Sequence, residues 1–119
     1  GNLPSMTKKE IENAKKAKKD PSAFSVQVEP IGKISKDSKV LKLGVGNPFN
    51  NVDHCTVQIM ENNKVLFTSK DMAPQTYMNE IPLSQKLSSG DHNITVRYNV
   101  YINKNKIGSM DVKTKVVSS

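Results

Sequence analysis

From Phe24 onward, apolar and polar residues alternate with a period of two, which is the pattern of half-buried β-strands. The longest run covers 94–102, where Ile, Val, Tyr, Val and Ile stand at every second position. The alternation predicts about seven strands: 24–30, 39–45, 54–61, 64–69, 77–83, 92–102 and 106–117. Short strands separated by turn signals favour a β-sandwich over an α/β fold.

Turn-forming residues stand between these segments. Glu-Asn-Asn-Lys at 61–64 and Asn-Lys-Asn-Lys at 103–106 predict tight hairpin turns, because asparagine tolerates a positive φ. Pro82 removes a backbone donor, so its strand is expected to be short or to lie at a sheet edge.

Residues 1–22 differ in composition from the rest of the chain, with six Lys and almost no apolar face. A capping box at 7–10 and the stop signal at Pro21 predict a helix over 8–19. A helix that is polar on all sides usually connects two domains through solvent or projects from one domain into solvent. We therefore expect a Lys-rich leader or stalk over 1–22, followed by one β-sandwich domain over 23–119.

Composition excludes several classes of protein for this chain of 119 residues. The single cysteine, Cys55, permits no internal disulfide and no zinc site built from several thiolates. No apolar stretch is long enough for a transmembrane helix. The formal net charge is +7, which is compatible with an anionic setting. We interpret Gly1 as the remnant of a tag and expect a membrane anchor, if there is one, upstream of it.

Candidate chemistry is sparse. The chain has no Gly-x-Ser-x-Gly motif, no phosphate-binding glycine loop and no paired acids for glycoside hydrolysis. Asp53, His54 and Cys55 are consecutive, but neighbours on a strand face opposite sides, so one metal centre cannot easily use all three. Cys55 is predicted to be a small core residue. We predict no catalytic residues, no metal and no cofactor.

The segment before the longest strand carries a further signal. It reads Leu-x-x-Gly-x-His over 87–92, where many immunoglobulin-like domains have Leu-x-x-Gly-x-Tyr, the tyrosine corner. His92 stands in the tyrosine position, and an imidazole N–H can make a similar bond to the backbone. Leu87, Gly90 and His92 are therefore predicted to form a structural corner.

With its strand count, residues 24–117 resemble bacterial immunoglobulin-like or fibronectin-III-like modules. The resemblance implies an all-β, immunoglobulin-like Greek-key sandwich of about seven strands. It also implies an extracellular, cell-surface or membrane-anchored location, because such modules are common in surface proteins of Gram-positive bacteria.

In such a sandwich, the connections 46–53, 70–76 and 103–105 gather at one end. Loops on a rigid scaffold commonly carry binding, although plain turn chemistry is the alternative. The partner-binding candidates in these loops are Asn47, Phe49, Asn50, Asn51, Asn103 and Asn105.

The favoured hypothesis is a non-enzymatic extracytoplasmic spacer or protein-interaction domain, with a protein or a cell-wall polymer as partner. Membrane contact is expected only through an upstream anchor. No specific nucleic-acid binding is predicted, because Arg97, Tyr101 and Lys104 make only a small basic patch. Two alternatives stay open. One is a subunit of a secretion or conjugation assembly that pairs through the Pro82 strand or the last strand. The other is a carbohydrate-binding module.

Overall fold

A computed structural model describes residues 24–119, and the regular structure within them is entirely β. The strands are β1 Gln27–Val28, β2 Ile31–Ile34, β3 Val40–Asn47, β4 His54–Glu61, β5 Lys64–Thr68, β6 Thr76–Pro82, β7 Gly90–Ile102 and β8 Asn105–Ser118. The all-β prediction is confirmed for this part of the chain. The predicted helix over 8–19 and the leader 1–22 lie outside the described residues.

The eight strands of residues 24–119 form one hydrogen-bonded sheet in the order β1-β3-β2-β8-β7-β4-β5, with β6 also paired to β3. β1 and β2 share one side of β3, and β6 runs along the other side. The pairings are antiparallel except the one between β2 and β8, which is parallel and places Lys33 opposite Val117. Strand β2, near the start of the described chain, is thus paired directly with the last strand, β8.

The predicted strand 24–30 is wrong in its extent, because the chain kinks at Glu29–Pro30 and continues as β2. Sequence alternation missed β2 because its buried positions are Gly32 and Ile34, whereas Ile31 is 54% exposed. A Cβ at Gly32 would lie only 3.1 Å from the Cβ of Leu43, so this core position has no room for the apolar side chain that would have revealed the pattern.

The Glu29–Pro30 kink connects two parts of the sheet. The Glu29 amide donates to the Gly44 carbonyl at 2.9 Å, and the Gly44 amide donates to the Glu29 carboxylate at 2.5 Å. On the other side, the Thr114 hydroxyl lies 2.9 Å from the Glu29 carbonyl and 3.0 Å from the Pro30 carbonyl. Pro30 has no N–H to donate, so these contacts satisfy the backbone where ladder pairing stops.

The core is formed by alternate residues of the long strands. Its fully buried members include Leu41, Leu43, Val45, Cys55, Val57, Ile59, Ile94, Val96, Tyr98 and Val100. The Tyr98 hydroxyl donates to the Gly46 carbonyl at 2.8 Å and lies 3.2 Å from the Gln27 carbonyl. β7 is not a sheet neighbour of β1 or β3, so the Tyr98 side chain joins β7 to the backbone of two strands with which it does not pair.

We predict that Tyr98→Phe lowers the free energy of unfolding by about 1–2 kcal/mol, because it removes a buried donor from two backbone carbonyls without changing ring packing. Tyr101→Phe is the matched control, since Tyr101 is on the same strand and half-exposed. Urea unfolding of both variants measures the difference. Equal stability of the two would show that the buried hydroxyl contributes nothing.

Candidate interaction site at the loop end

Three connections lie at one end of the molecule: 48–53 between β3 and β4, 69–75 between β5 and β6, and 103–104 between β7 and β8. Strand register brings them together, because His54 pairs with Tyr101 and Asn47 pairs with Thr76. A bridge between Cys55 and Met72 joins the second connection to the start of β4. We call these three connections the loop end.

Asn47 and Asn51 form a buried amide network beneath the loop end. The Asn47 amide donates to the carbonyls of Asp53 at 3.0 Å and Met72 at 2.9 Å. The side-chain amide of Asn51 donates to the Asn47 side-chain oxygen and to the Ser25 carbonyl, both at 2.7 Å. In return, the Ser25 amide donates to the Asn51 side-chain oxygen at 3.0 Å. The network therefore fixes the first loop to the second loop and to the start of the described chain.

This burial corrects the expectation that Asn47 and Asn51 contact a partner directly. Asn47 is 0% exposed and Asn51 is 2% exposed, and their side chains serve internal backbone groups. Buried loop backbone needs such partners because ladder pairing does not supply them. These two side chains therefore maintain the shape of the loop.

Phe49 and Asn50 are the residues that this network presents. The backbone amide of Asn51 donates to the Pro48 carbonyl at 3.1 Å, which closes a tight turn with Phe49 and Asn50 at its centre. Phe49 is 38% exposed, and the side-chain amide of Asn50 donates to the Ser25 hydroxyl at 3.1 Å. The turn thus holds a large aromatic ring toward solvent on a fixed backbone.

Asn103 and Asn105 belong to the β7–β8 turn. Asn103 and Lys104 have φ values of 50° and 67°, which the mirror-image turn of a two-residue hairpin requires. Asn105 pairs with Ile102 and is exposed. Turn geometry therefore accounts for Asn103, while Lys104 and Asn105 face solvent at the loop end.

A His54–Asp71 hydrogen bond at the loop end was not anticipated from the sequence. The His54 Nδ1 atom lies 2.6 Å from the Asp71 carboxylate, and both side chains are more than half exposed. The two residues are 17 positions apart in a strand and a loop, so no sequence spacing signals the contact. Within residues 24–119, no group of three or more His, Cys, Asp or Glu side chains is arranged to hold a metal ion.

Cys55 is buried, which confirms its prediction as a core residue. Burial, followed by the charge of Asp71, raises the pKa of the Cys55 thiol to about 12. The thiolate fraction at neutral pH is therefore negligible, and the folded protein has an unreactive cysteine.

The small basic patch expected around Arg97 is largely neutralised. The Arg97 guanidinium donates two hydrogen bonds to Asp111, at 2.8 and 3.0 Å. The bond from Arg97 holds the pKa of the Asp111 carboxyl below its usual range. Arg97 is thus engaged within the β7–β8 hairpin rather than directed with Lys104 toward a ligand.

The predicted corner lies at the opposite end of the molecule. The His92 Nε2 atom lies 2.6 Å from the Ser88 carbonyl, four residues earlier in the chain. Gly90 adopts a φ of 114°, which a residue with a side chain rarely adopts. Leu87 is half-buried against the core. These three residues therefore shape the entry into β7 and are remote from the loop end.

Comparisons with known proteins give little further information. No family model matches the chain, and no curated protein matches it. Among solved structures, a crystal structure of an engineered protein is similar over 80% of this chain at 18% identity, with a TM-score of 0.41. The chain spans about 20% of that protein. At this TM-score, the similarity supports no conclusion about fold or function.

In residues 24–119, no helix is long and apolar enough to cross a membrane.

We predict that Asn51→Ala destabilises the protein by about 2 kcal/mol, because it leaves buried groups of Ser25 and Asn47 without their partners. Asn50→Ala is the matched control on the neighbouring exposed position and is expected to change stability by less than about 0.5 kcal/mol. Thermal and urea unfolding of both variants measure the effect. A small effect of Asn51→Ala would contradict the structural role of the network.

Proposed function

We propose that this chain is a non-enzymatic protein-interaction module that acts outside the cytoplasmic membrane and binds its partner through the loop end. The observation that carries the proposal is the Phe49–Asn50 turn. An exposed aromatic ring on a backbone fixed by buried amides loses little entropy on binding. Aromatic residues in such positions commonly dominate the energy of protein interfaces.

We further propose that the sheet folds over at Glu29–Pro30 into an immunoglobulin-like Greek-key sandwich. In this arrangement β1, β3 and β6 form one layer, and β8, β7, β4 and β5 form the other. The proposal is supported by the pairings β3–β6, β4–β7 and β7–β8 and by the parallel β2–β8 pair. The bond from Tyr98 to Gly46 also supports it, because this bond spans the two proposed layers.

The extracytoplasmic location rests on the resemblance of residues 24–117 to surface modules of Gram-positive bacteria. The Lys-rich composition of the leader fits a stalk between this domain and a membrane anchor. The described chain enters at the loop end, because Ser25 is bonded to Asn51. A stalk would therefore join the domain beside the proposed binding turn.

We predict that Lys104→Cys in the full-length protein is labelled by a membrane-impermeant maleimide on intact cells that produce it. Lys104 is exposed in the β7–β8 turn, whereas the natural Cys55 is buried. The unsubstituted protein is the matched control and should react only after denaturation. Labelling of Lys104→Cys only in lysed cells would place the domain inside the cell and overturn the proposed location.

We also predict that a photo-crosslinking phenylalanine analogue at position 49 yields one defined adduct in producing cells. The same analogue at Tyr77 on β6 is the control, since Tyr77 is an exposed aromatic residue outside the loop end. Adducts should be strong at 49 and absent at 77. Equal adducts at both positions, or none at 49, would contradict binding through the loop end.

The edge-pairing alternative is favoured by a specific observation. Within residues 24–119, β6 pairs only with β3, and β8 pairs with β2 only over 115–118. Residues 105–113 of β8 therefore have one unpaired side. Unpaired strand edges accept extended segments of other chains. An adduct from Tyr77 without one from Phe49 would support this alternative.

A further inference from the structure

The segment 83–89, which we call the connector, runs from β6 to β7 across the outer edge of β5. β5 pairs with β4 on its other side. The Ser84 amide donates to the Leu66 carbonyl at 2.8 Å, and the Lys64 ammonium donates to the Gln85 side-chain oxygen. The connector therefore occupies part of a strand edge that would otherwise be open to pairing.

The second half of the connector packs against the core through Leu87, and its polar contacts are weak apart from one. Lys86 and Asp37 are 3.8 Å apart, and both are more than half exposed. The Ser118 hydroxyl lies 3.4 Å from the Leu87 carbonyl. Exposed ion pairs contribute little to stability. The remaining polar tether is the short bond between His92 and the Ser88 carbonyl.

His92 has hydrogen-bond acceptors at both ring nitrogens. Its Nε2 atom lies 2.6 Å from the Ser88 carbonyl, and its Nδ1 atom lies 2.6 Å from the Glu61 carboxylate. A neutral imidazole has one N–H, whereas imidazolium has two. Both bonds can therefore exist together only when His92 is protonated. Its side chain is only 11% exposed, so water does not readily replace a lost partner.

The charges around His92 are consistent with the protonated form. Glu61 faces it from β4, and Asp91 precedes it on β7. On β8, the residue opposite His92 is the uncharged Val116, and the neighbouring Lys115 lies 3.7 Å from Asp91. The lysines of β5 and of the connector are Lys64 and Lys86, which contact Gln85 and Asp37.

We propose that protonated His92 is a latch that holds the second half of the connector against β4 and β7, and that loss of its proton releases this half. A neutral ring keeps only one of its two bonds, so either the Ser88 carbonyl or the Glu61 carboxylate loses its donor. The device therefore couples proton binding to the order of the second half of the connector.

The direction of the pH dependence follows from the same contacts. The bond to the Ser88 carbonyl, followed by the bond and charge of Glu61, raises the pKa of His92, while burial opposes the shift. The latch is therefore fully closed below about pH 6.5, which is the ordinary pKa of histidine. It opens as the pH rises through the higher pKa that His92 has in the folded protein.

Hydrogen–deuterium exchange of 84–90, measured as protection factors from about pH 6 to 9, tests the latch. We expect the protection of this segment to fall about tenfold as His92 loses its proton, since one charge-assisted bond disappears. NMR titration of the His92 ring in the same range locates the transition. Amides of β4 paired with β7 are the internal reference and should keep their protection.

Two variants separate the latch from a general loss of stability. His92→Tyr provides a hydroxyl that does not titrate near neutral pH, so it should keep 84–90 protected and remove the pH dependence. Glu61→Gln removes the carboxylate charge and should move the transition to lower pH. His54→Tyr is the matched control at the other end of the protein and should leave the profile unchanged.

The proposal is overturned if His92 titrates while the protection of 84–90 stays constant. It is also overturned if His92→Tyr folds and keeps the wild-type pH profile. Should His92→Tyr not fold, an unmoved transition in Glu61→Gln would overturn it instead. These readouts are independent of any partner, so they do not depend on the proposed function.

Discussion

The structure depends on how the chain satisfies its backbone hydrogen bonds at the Glu29–Pro30 kink. A strand that breaks at a proline leaves carbonyl and amide groups without ladder partners. Here the Glu29 carboxylate accepts from the Gly44 amide, and the Thr114 hydroxyl contacts the Glu29 and Pro30 carbonyls. These substitute bonds allow β2 to pair with β3 on one side and with β8 on the other.

The same physical solution recurs at the loop end. Asn47 and Asn51 satisfy backbone groups of Asp53, Met72 and Ser25 where no strand can do so. Polar side chains thus replace ladder bonds at both of these places. As a result, the Phe49–Asn50 turn is held by the interior of the protein rather than by contacts on its own surface.

The strands could largely be predicted from sequence because alternate burial leaves a period-two pattern, as in 94–102. β2 could not be predicted, because its inward positions carry a glycine and one isoleucine while Ile31 faces solvent. The loop connections were identified, but their asparagines were assigned the same role. Burial separates Asn47 and Asn51 from Asn50, and burial depends on distant residues such as Met72 and Ser25. The His54–Asp71 contact likewise depends on packing between segments that no local pattern relates.

The parallel pairing of β2 with β8 has a mechanical consequence. The described chain enters at the loop end and finishes at the other end, after Ser118 has paired with Gly90 and Ile34. Tension applied between the two termini pulls β2 and β8 in opposite directions along their length. The hydrogen bonds between 31–34 and 115–118 are then loaded together in shear rather than opened one after another. A domain with this connectivity resists stretching between its two ends.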